Sequence, residues 1–179
     1  MRNLFVTTFL SLDGIMEHPA WTAPYWNDEI AAFKGEETSV ADALLLGRVT
    51  YQGFAAAWPG RTDDGAEYFN GVRKYVVSTT LDKAEWNNSI IIKDNIVEEI
   101  TKLKQQDGKD IAVHGSARLV QTLMKHNLVD VYRILVYPVV LGKGIRLFQD
   151  GSMATLKLVE SRAFSSGVVG LIYQPDKTS

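Results

Sequence analysis

The chain has 179 residues, of which 46% are hydrophobic and 22% are charged, and its formal net charge is −2. That length and composition are typical of one soluble globular domain spanning 1-179. The near-neutral net charge gives no sign of the excess of basic residues that binds nucleic acid or an anionic membrane surface. The lack of cysteine excludes disulfides, thiolate zinc sites and cysteine nucleophiles. The first residues do not resemble a signal peptide and no apolar run is long enough to span a bilayer, so we expect a cytoplasmic protein.

The first predicted strand covers Leu4 to Leu12, which is rich in Phe, Val, Thr and Leu, and Asp13-Gly14 breaks it. The segment from Ile15 to Trp26 is irregular and aromatic. Such a loop beside a central strand either walls a planar ligand or caps the core, and the sequence favours neither. We predict that Asn27 is the N-cap of a helix, because the apolar residues Ile30 and Phe33 after it fall on one helical face.

The middle of the chain contains a short apolar strand that ends at a glycine and is followed by a helix. Ala43 to Leu46 is this strand, and after Gly47 the apolar residues fall at helical spacing up to Pro59. Further along we predict a polar loop, two strands and a helix that a capping box opens. These elements are the loop Pro59–Gly65, the strands Lys74–Thr80 and Ile90–Ile92, and the helix that begins after Asn95, with Glu98, and ends at Asp107-Gly108.

The stretch from Ile111 to Gly144 repeats the strand–glycine–helix pattern. An apolar run, then Gly115, then helical spacing predict a strand, a turn and a helix, and Val131–Leu141 is the returning strand of a βαβ crossover. Gly115 lets the backbone approach a ligand closely, and Ser116 is a good N-cap. Free amides at this helix start would face a negative group such as a pyrophosphate, although most turns of this kind bind nothing.

After the turn at Gly142-Lys143-Gly144, the segments Thr155–Glu160 and Gly167–Tyr173 predict an antiparallel hairpin. Strands that alternate with helices and then end the chain predict an α/β fold with a mixed, mostly parallel central sheet and helices on both faces. Ligands of such sheets bind at the carboxyl ends of the strands. The three histidines show no ligand spacing, so no metal is expected.

Several motifs resemble those of a known family. Gly47-Arg48-Val49-Thr50-Tyr51 resembles the Gly-Arg-x-Thr-aromatic motif of dihydrofolate reductases, and Val113–Ala117 lies where that family has its glycine-rich turn. The reductase domain of the bifunctional riboflavin-biosynthesis protein is more similar still, because the chain shares four further motifs with it in the same order. They are Ser11–Gly14, Leu128–Asp130, Pro138–Gly144 and Leu147-Phe148.

The resemblance covers nearly the whole chain and implies a dihydrofolate reductase-like three-layer fold with a C-terminal antiparallel hairpin. It also implies a homodimeric, NADPH-dependent reductase that transfers a hydride to a small heterocycle. The substrate would be dihydropterin- or dihydrofolate-like, or 5-amino-6-(5-phosphoribosylamino)uracil-like as in riboflavin biosynthesis. The deaminase half of the bifunctional protein needs zinc with paired cysteines, so a stand-alone reductase domain is expected. The alternative is a nucleotide-binding protein of the same fold without reductase turnover.

By position, the resemblance places the NADPH phosphates at the two glycine–helix turns and the adenine ribose at the end of another strand. Arg48 suits a 2′-phosphate because its planar guanidinium can donate two parallel hydrogen bonds. The alternative to a role in cofactor binding is that Arg48 is a solvated surface residue and Thr50 a helix cap. Ser116 stands where the family usually has a second glycine, and a serine tolerates the N-cap conformation. The candidate cofactor-binding residues are Gly47, Arg48, Thr50, Ser78, Thr79, Gly115, Ser116, Ala117 and Arg118.

The resemblance also places a carboxylate early in the first helix against the substrate ring. Aligning on Phe33-Lys34 puts Glu29 there, four residues before Phe33 on the same helical face, with Asp28 as the alternative. Beside Phe33 and Trp26, the candidate substrate-binding residues, such a carboxyl is expected to have a raised pKa and to act in proton transfer. The plain alternative is that both acids only complement the helix dipole and face water.

Four other polar residues have simpler expected roles. Asp13 is expected to hold its loop through backbone amides rather than to react. His114 is expected to pack against the cofactor turn. Lys143 and Arg146 suit a substrate phosphate and a solvated loop equally well.

Overall fold

The computed structural model describes residues 1–178, and within them the chain forms eight strands, five α-helices and one 3-10 helix. The strands are β1 (Leu4–Leu10), β2 (Ala41–Gly47), β3 (Arg73–Val77), β4 (Ser89–Ile92), β5 (Asp110–His114), β6 (Val131–Val136), β7 (Leu156–Ala163) and β8 (Val169–Pro175). The helices are α1 (Asp28–Val40), α2 (Arg48–Ala57), α3 (Ala66–Gly71), α4 (Ile96–Gln105) and α5 (Ala117–Lys125), and the 3-10 helix covers Pro19–Tyr25.

All eight strands belong to one sheet, in the order β4-β3-β2-β5-β1-β6-β8-β7. The first six strands of that order run parallel, and β8 and β7 complete the sheet as an antiparallel hairpin. The predicted mixed, mostly parallel sheet with a C-terminal hairpin is therefore confirmed. Because β3, β2, β5 and β1 are neighbours, the loops that leave their carboxyl ends meet along one edge of the sheet.

Helices cover both faces of this sheet. On one face, α4 and α5 pack side chains such as Ile100 and Leu123 against the strands. On the other face, α1 contributes Phe33, while α2 and α3 contribute Tyr51 and Phe69. These buried apolar side chains make the three layers, and they hold the starts of α1, α2 and α5 at the carboxyl edge of the sheet.

The helix caps that the sequence predicts are confirmed in one case and wrong in another. The side chain of Asn27 accepts a hydrogen bond from the Ile30 amide at 3.0 Å, so it is the N-cap of α1. Asn95 precedes α4 with a left-handed backbone (φ 47°), and its side chain makes no capping bond within residues 1–178. The predicted capping box is wrong because this backbone turns the side chain away from the first amides of the helix.

Three strands end earlier than their sequences predict, and the first of them, β1, ends at Leu10 rather than Leu12. β3 ends at Val77 rather than Thr80 because the Ser78 hydroxyl accepts hydrogen bonds from two of the next three amides and turns the chain. β6 ends at Val136 rather than Leu141, and a proline two residues later supplies no amide to continue the ladder.

The sequence predicts no element for Ala66–Gly71, yet α3 lies there. Within it, Phe69 stacks face-on against Trp58 with ring centroids 4.3 Å apart and meets Phe54 edge-on at 5.8 Å. A helix of six residues is too short to be stable alone. Packing on aromatic side chains distant in sequence therefore stabilises α3.

The aromatic segment before α1 caps the core. Trp21 and Tyr25 of the 3-10 helix meet Tyr137 edge-on, at 5.5 and 5.8 Å between ring centroids, and Phe9 does so at 5.7 Å. These rings bury Tyr137 completely. Of the two alternatives for this segment, capping the core is what the structure shows for Trp21 and Tyr25, whereas Trp26 remains 54% exposed.

Lys74, the second residue of β3, is completely buried. Its ammonium donates hydrogen bonds to the backbone oxygens of Val72 and Asn87, both at 2.9 Å, and lies 4.1 Å from the centroid of the Trp86 ring. Burial lowers the pKa of Lys74 to about 8. The carbonyl oxygens and the aromatic face replace the water that a buried ammonium loses, and they fasten β3 to the segments on either side.

We expect Lys74→Met to lower the free energy of unfolding by about 2 kcal/mol, because the carbonyl groups lose their donor while the volume is retained. Urea denaturation at neutral pH measures this difference. The control Arg73→Met changes the exposed neighbour and should alter stability by less than about 0.5 kcal/mol. Equal stability of the two variants would show that the carbonyl contacts contribute nothing.

Candidate functional site

The two predicted strand–glycine–helix turns lie side by side, because β2 and β5 are parallel neighbours. We call them the β2–α2 corner (Gly47) and the β5–α5 corner (Gly115 and Ser116). A β-carbon built on Gly47 would lie 2.6 Å from the Ser116 hydroxyl oxygen, and one built on Gly115 would lie 2.8 Å from Thr50 Oγ1. Gly115 also has φ +58°, a conformation that glycine adopts easily. The two corners therefore touch only because neither glycine has a side chain.

The helices that begin at these corners present a positive surface. Neither α2 nor α5 has an acidic residue in its first turn, whereas α1, α3 and α4 all do. Arg48 begins α2, is exposed and donates a hydrogen bond to Gln52 at 3.1 Å, and Arg118 is exposed in the first turn of α5. Helix N-termini carry partial positive charge and unbonded amides, so the paired corners suit an anion such as a pyrophosphate.

The two corners differ in how their helices are capped. Ser116 is the N-cap of α5, as predicted, and its hydroxyl accepts from the Leu119 amide at 3.4 Å. Ala117 follows as a buried first residue that offers only its backbone. Gly47 is the N-cap of α2 and has no side chain, so the first amides of α2 are left for solvent or a ligand.

The end of β3 brings Ser78 and Thr79 to the same edge of the sheet, next to the β2–α2 corner. Ser78 is buried, and its hydroxyl accepts hydrogen bonds from the amides of Thr80 at 3.2 Å and Leu81 at 3.0 Å. Thr79 is exposed. Ser78 therefore shapes the turn, and Thr79 is the residue of the pair that presents its hydroxyl to the surface.

The predicted catalytic carboxylates lie at the start of α1, and the structure contradicts a raised pKa there. Glu29 is exposed and accepts hydrogen bonds from the Ser165 hydroxyl and from the Ser165 amide, the latter at 3.0 Å. Both bonds stabilise the ionised form, so they lower the pKa of Glu29. Asp28 is also exposed. The expectation of a poised, protonated carboxyl was wrong because Glu29 holds the turn between β7 and β8 as an anion.

The two predicted substrate-binding aromatics have different environments. Trp26 is exposed and has a ring face to offer a ligand. Phe33 is only 1% exposed and packs in the core, with the guanidinium groups of Arg133 and Arg162 at 4.6 and 5.3 Å from its ring centroid. The prediction that Phe33 lines a substrate site is contradicted because its ring is enclosed by these arginines and by the core.

A polar cluster lies between α1 and β1. Glu37 is almost completely buried, and its carboxylate pairs with the Lys34 ammonium at 2.6 Å and accepts from the Thr7 hydroxyl at 2.9 Å. Lys34 also donates to that hydroxyl at 2.6 Å. The cluster fixes the Lys34 ammonium over the middle of the sheet with its charge balanced.

His114 lies beside this cluster, since it is the cross-strand neighbour of Thr7 in the register of β1 and β5. Its half-buried ring meets Phe54 and Phe69 edge-on, at 5.7 and 5.6 Å between centroids. Burial first, and then the charge of Lys34, lower the pKa of His114 well below its usual value. The ring packs as predicted, but the sequence analysis missed that its nitrogens make no hydrogen bond within residues 1–178. The available signal was a histidine directly before the glycine of a strand-to-helix turn.

Asp13 holds two loops together, which confirms the structural role predicted for it. Its carboxylate accepts from the Ser11 hydroxyl at 2.6 Å and from the amides of Leu141 and Gly142 at 3.2 and 2.8 Å. These hydrogen bonds, with Ser11 the largest, lower the pKa of Asp13 to about 2. The loop after β1 is thereby tied to the loop after β6.

Lys143 and Arg146 are exposed around a shallow depression next to Asp13, and the choice between a phosphate site and a solvated loop remains a prediction for them. Within residues 1–178 no group of three or more histidine, aspartate or glutamate side chains is placed to hold a metal ion. Among the same residues no helix is long and apolar enough to cross a membrane.

Comparison with known proteins places these features in a family. A family model described as the RibD C-terminal domain matches residues 2–170. The Bacillus subtilis (strain 168) protein YyaP is 40% identical over 138 residues, which are 74% of this chain and 73% of that protein. A second protein of the same organism, YwjB, is 29% identical over 175 residues, 93% of this chain and 95% of that protein. The range that the family model matches contains both corners.

Solved structures show the same fold at low identity. A pyrimidine reductase-like protein from Corynebacterium diphtheriae superposes with a TM-score of 0.74 at 13% identity, over 98% of this chain and 92% of that one. Dihydrofolate reductase from Enterococcus faecalis, complexed with NADP(H), gives 0.67 at 16% identity over 98% and 97%. A Thermotoga maritima diaminohydroxyphosphoribosylaminopyrimidine deaminase/5-amino-6-(5-phosphoribosylamino)uracil reductase gives 0.71 at 17% identity, over 98% of this chain and 57% of that one. The predicted dihydrofolate reductase-like fold is thus confirmed.

We expect Asp13→Asn to lower the melting temperature at neutral pH, because the amide side chain lacks the charge that holds the two loops. The pKa of Asp13 falls from 3.8 to about 2 on folding, so its carboxylate stabilises the fold above pH 3.8, and this contribution is lost as the pH drops through about 2. The difference in melting temperature should therefore shrink over that interval, which scanning calorimetry at a series of pH values measures. Asp150→Asn, at an exposed acid beside the same depression, is the control and should show no such difference.

Proposed function

The chain belongs to the RibD C-terminal domain family, and we propose that it is a homodimeric, NADPH-dependent reductase that transfers a hydride to a small heterocyclic substrate. The observation that carries this proposal is the contact between Gly47 and Ser116. It brings two helix starts without acidic residues to neighbouring strand ends. Two adjacent positive N-termini suit two linked phosphates, as in a dinucleotide.

The proposed cofactor site uses the residues of both corners. Arg48 is exposed at the start of α2, and its planar guanidinium suits a 2′-phosphate. The free amides of α2 and α5, with the backbone of Ser116 and the hydroxyl of Thr50, suit the pyrophosphate, because the Ser116 hydroxyl already caps α5, and Arg118 approaches it from the α5 side. Thr79 is proposed to contact the adenine ribose. Four further residues shape the backbone that carries these groups. They are Gly47, Gly115, Ser78 and Ala117.

The proposed substrate site lies at the carboxyl ends of β1 and β5, between α1 and the cofactor corners. NADPH supplies the hydride when bound, so the chain has to orient the substrate ring, exclude water and balance charge. Trp26 offers an exposed ring face on this side. Because Glu29 is ionised, we propose that it accepts a hydrogen bond from the substrate or orients the Ser165 turn, and that the proton reaches the product from water.

A second candidate function is nucleotide binding without reductase turnover, and the state of Glu29 favours it, since the hydrogen bonds from Ser165 lower its pKa and so disfavour a protonated carboxyl at this position. NADPH oxidation in the presence of dihydrofolate, dihydropterins and 5-amino-6-(5-phosphoribosylamino)uracil separates the two functions. Turnover of any of these compounds supports the reductase. Binding of NADPH without turnover supports the second candidate.

We expect Arg48→Ala to remove the preference for NADPH over NADH. A charged hydrogen-bonded pair contributes about 1.5–3 kcal/mol, so the affinity for NADPH should fall by roughly 10- to 100-fold while that for NADH stays constant. Thermal shift and calorimetric titration with both nucleotides measure the effect. Arg118→Ala is the matched control and should weaken both nucleotides equally. A wild-type protein whose melting temperature responds to neither nucleotide would overturn the cofactor assignment.

We expect Gly47→Ala to weaken NADPH binding by at least about tenfold, because the new methyl group would meet the Ser116 hydroxyl and separate the corners. The double variant Gly47→Ala with Ser116→Gly should recover most of the affinity. Ser116→Gly alone should bind almost as the wild type does, since serine-to-glycine at an N-cap costs only a few tenths of a kcal/mol. Unchanged NADPH affinity in Gly47→Ala would show that the contact of the corners is not needed.

A further inference from the structure

We propose that His114 contacts the substrate, with one imidazole nitrogen hydrogen-bonded to an uncharged polar edge of the heterocycle, at a ring N–H or C=O group. Phe54 and Phe69 form the wall behind that imidazole. This inference rests on the proposed reductase function for the presence of a heterocycle, and it adds the substrate's recognised edge and the residue that reads it.

The position of His114 in the sheet is the first argument. β5 lies between β2 and β1, so its carboxyl end is at the centre of the edge where the loops meet. His114 is the last residue of β5 and comes directly before Gly115 of the β5–α5 corner. A group bound beside the corners therefore lies next to this ring, and a strand end holds the ring more rigidly than a loop does.

The unpaired nitrogens are the second argument. Within residues 1–178, four buried side-chain polar atoms lack a hydrogen-bond partner, and the nitrogens of His114 are not among them. They also make no hydrogen bond with any described residue, so each retains some accessible surface although the ring is half-buried. The nitrogens of a buried histidine are usually satisfied by protein groups or by ordered water, and no described residue satisfies those of His114. The imidazole of His114 is thus free to bind a ligand.

The charged and uncharged groups around His114 determine which ligand groups its imidazole can bind. The Lys34 ammonium acts on it from α1 and is paired with Glu37, which the Arg133 guanidinium also contacts at 3.4 Å, while α2 and α3 present the uncharged rings of Phe54 and Phe69. This environment keeps the imidazole neutral, with one nitrogen donating and the other accepting. Because its two nitrogens point in divergent directions, a neutral imidazole can bond one uncharged N–H or C=O group on the edge of a pyrimidine or pterin ring. A phosphate would instead require a cation here.

Two substitutions and one control test the proposal. His114→Leu removes both polar atoms, His114→Gln retains a donor and an acceptor, and His126→Leu changes an exposed histidine at the end of α5. The probes are dihydrofolate and 5-amino-6-(5-phosphoribosylamino)uracil, with NADPH oxidation followed by absorbance. We expect His114→Leu to raise the KM of the better probe by about tenfold, with the dissociation constant of NADPH unchanged. His114→Gln should restore most of the wild-type KM, and His126→Leu should match the wild type.

Each other outcome decides against the proposal in a distinguishable way. An unchanged KM in His114→Leu, or a variant that also loses NADPH affinity or thermal stability, makes His114 a packing residue. If the wild type binds NADPH but calorimetry shows neither probe binding to the NADPH-loaded protein, the substrate inference fails while the cofactor assignment stands. If the wild type binds no NADPH, the proposed function itself fails.

Discussion

The contact between Gly47 and the Ser116 hydroxyl is the constraint on which the candidate site depends. It exists because β2 and β5 pair in parallel and end at the same height, so their following helices start together. A β-carbon on Gly47 would enter the space of the Ser116 side chain, so the residue type at one corner limits the other. The sheet thereby converts two local turns into one surface lined by backbone amides.

The electrostatics of the carboxyl edge follow from where the acids are neutralised. Glu29 is held by Ser165, Asp13 by backbone amides, and Glu37 by Lys34. Each of these three carboxylates is satisfied by donors of the protein, and the first turns of α2 and α5 contain no acid. The corners consequently keep the positive potential of their helix starts, although the chain as a whole carries a net charge of −2.

The parts of the fold that the sequence predicts are those decided by neighbours in the chain. The N-caps Asn27 and Ser116 are correct because each side chain bonds an amide three residues later. The pKa of Glu29 is predicted in the wrong direction because its partner, Ser165, is 136 residues away and is brought near only by the C-terminal hairpin. The burial of Phe33 depends likewise on arginines of β6 and β7, far from it in sequence.

The same distinction between near and distant partners explains why, in the proposed substrate site, His114 rather than Glu29 is the polar group without a partner. Glu29 on α1 accepts two hydrogen bonds from Ser165 in the turn between β7 and β8. Its negative charge is therefore already stabilised within the protein. The imidazole on β5 packs against the rings of Phe54 and Phe69, and phenyl rings supply no conventional hydrogen-bond donor or acceptor. Helix α1 therefore contributes a satisfied anion, while the central strand contributes an unsatisfied neutral group. Recognition of the proposed heterocycle at this edge would then depend on the sheet, whose strand ends keep fixed positions relative to the β2–α2 and β5–α5 corners.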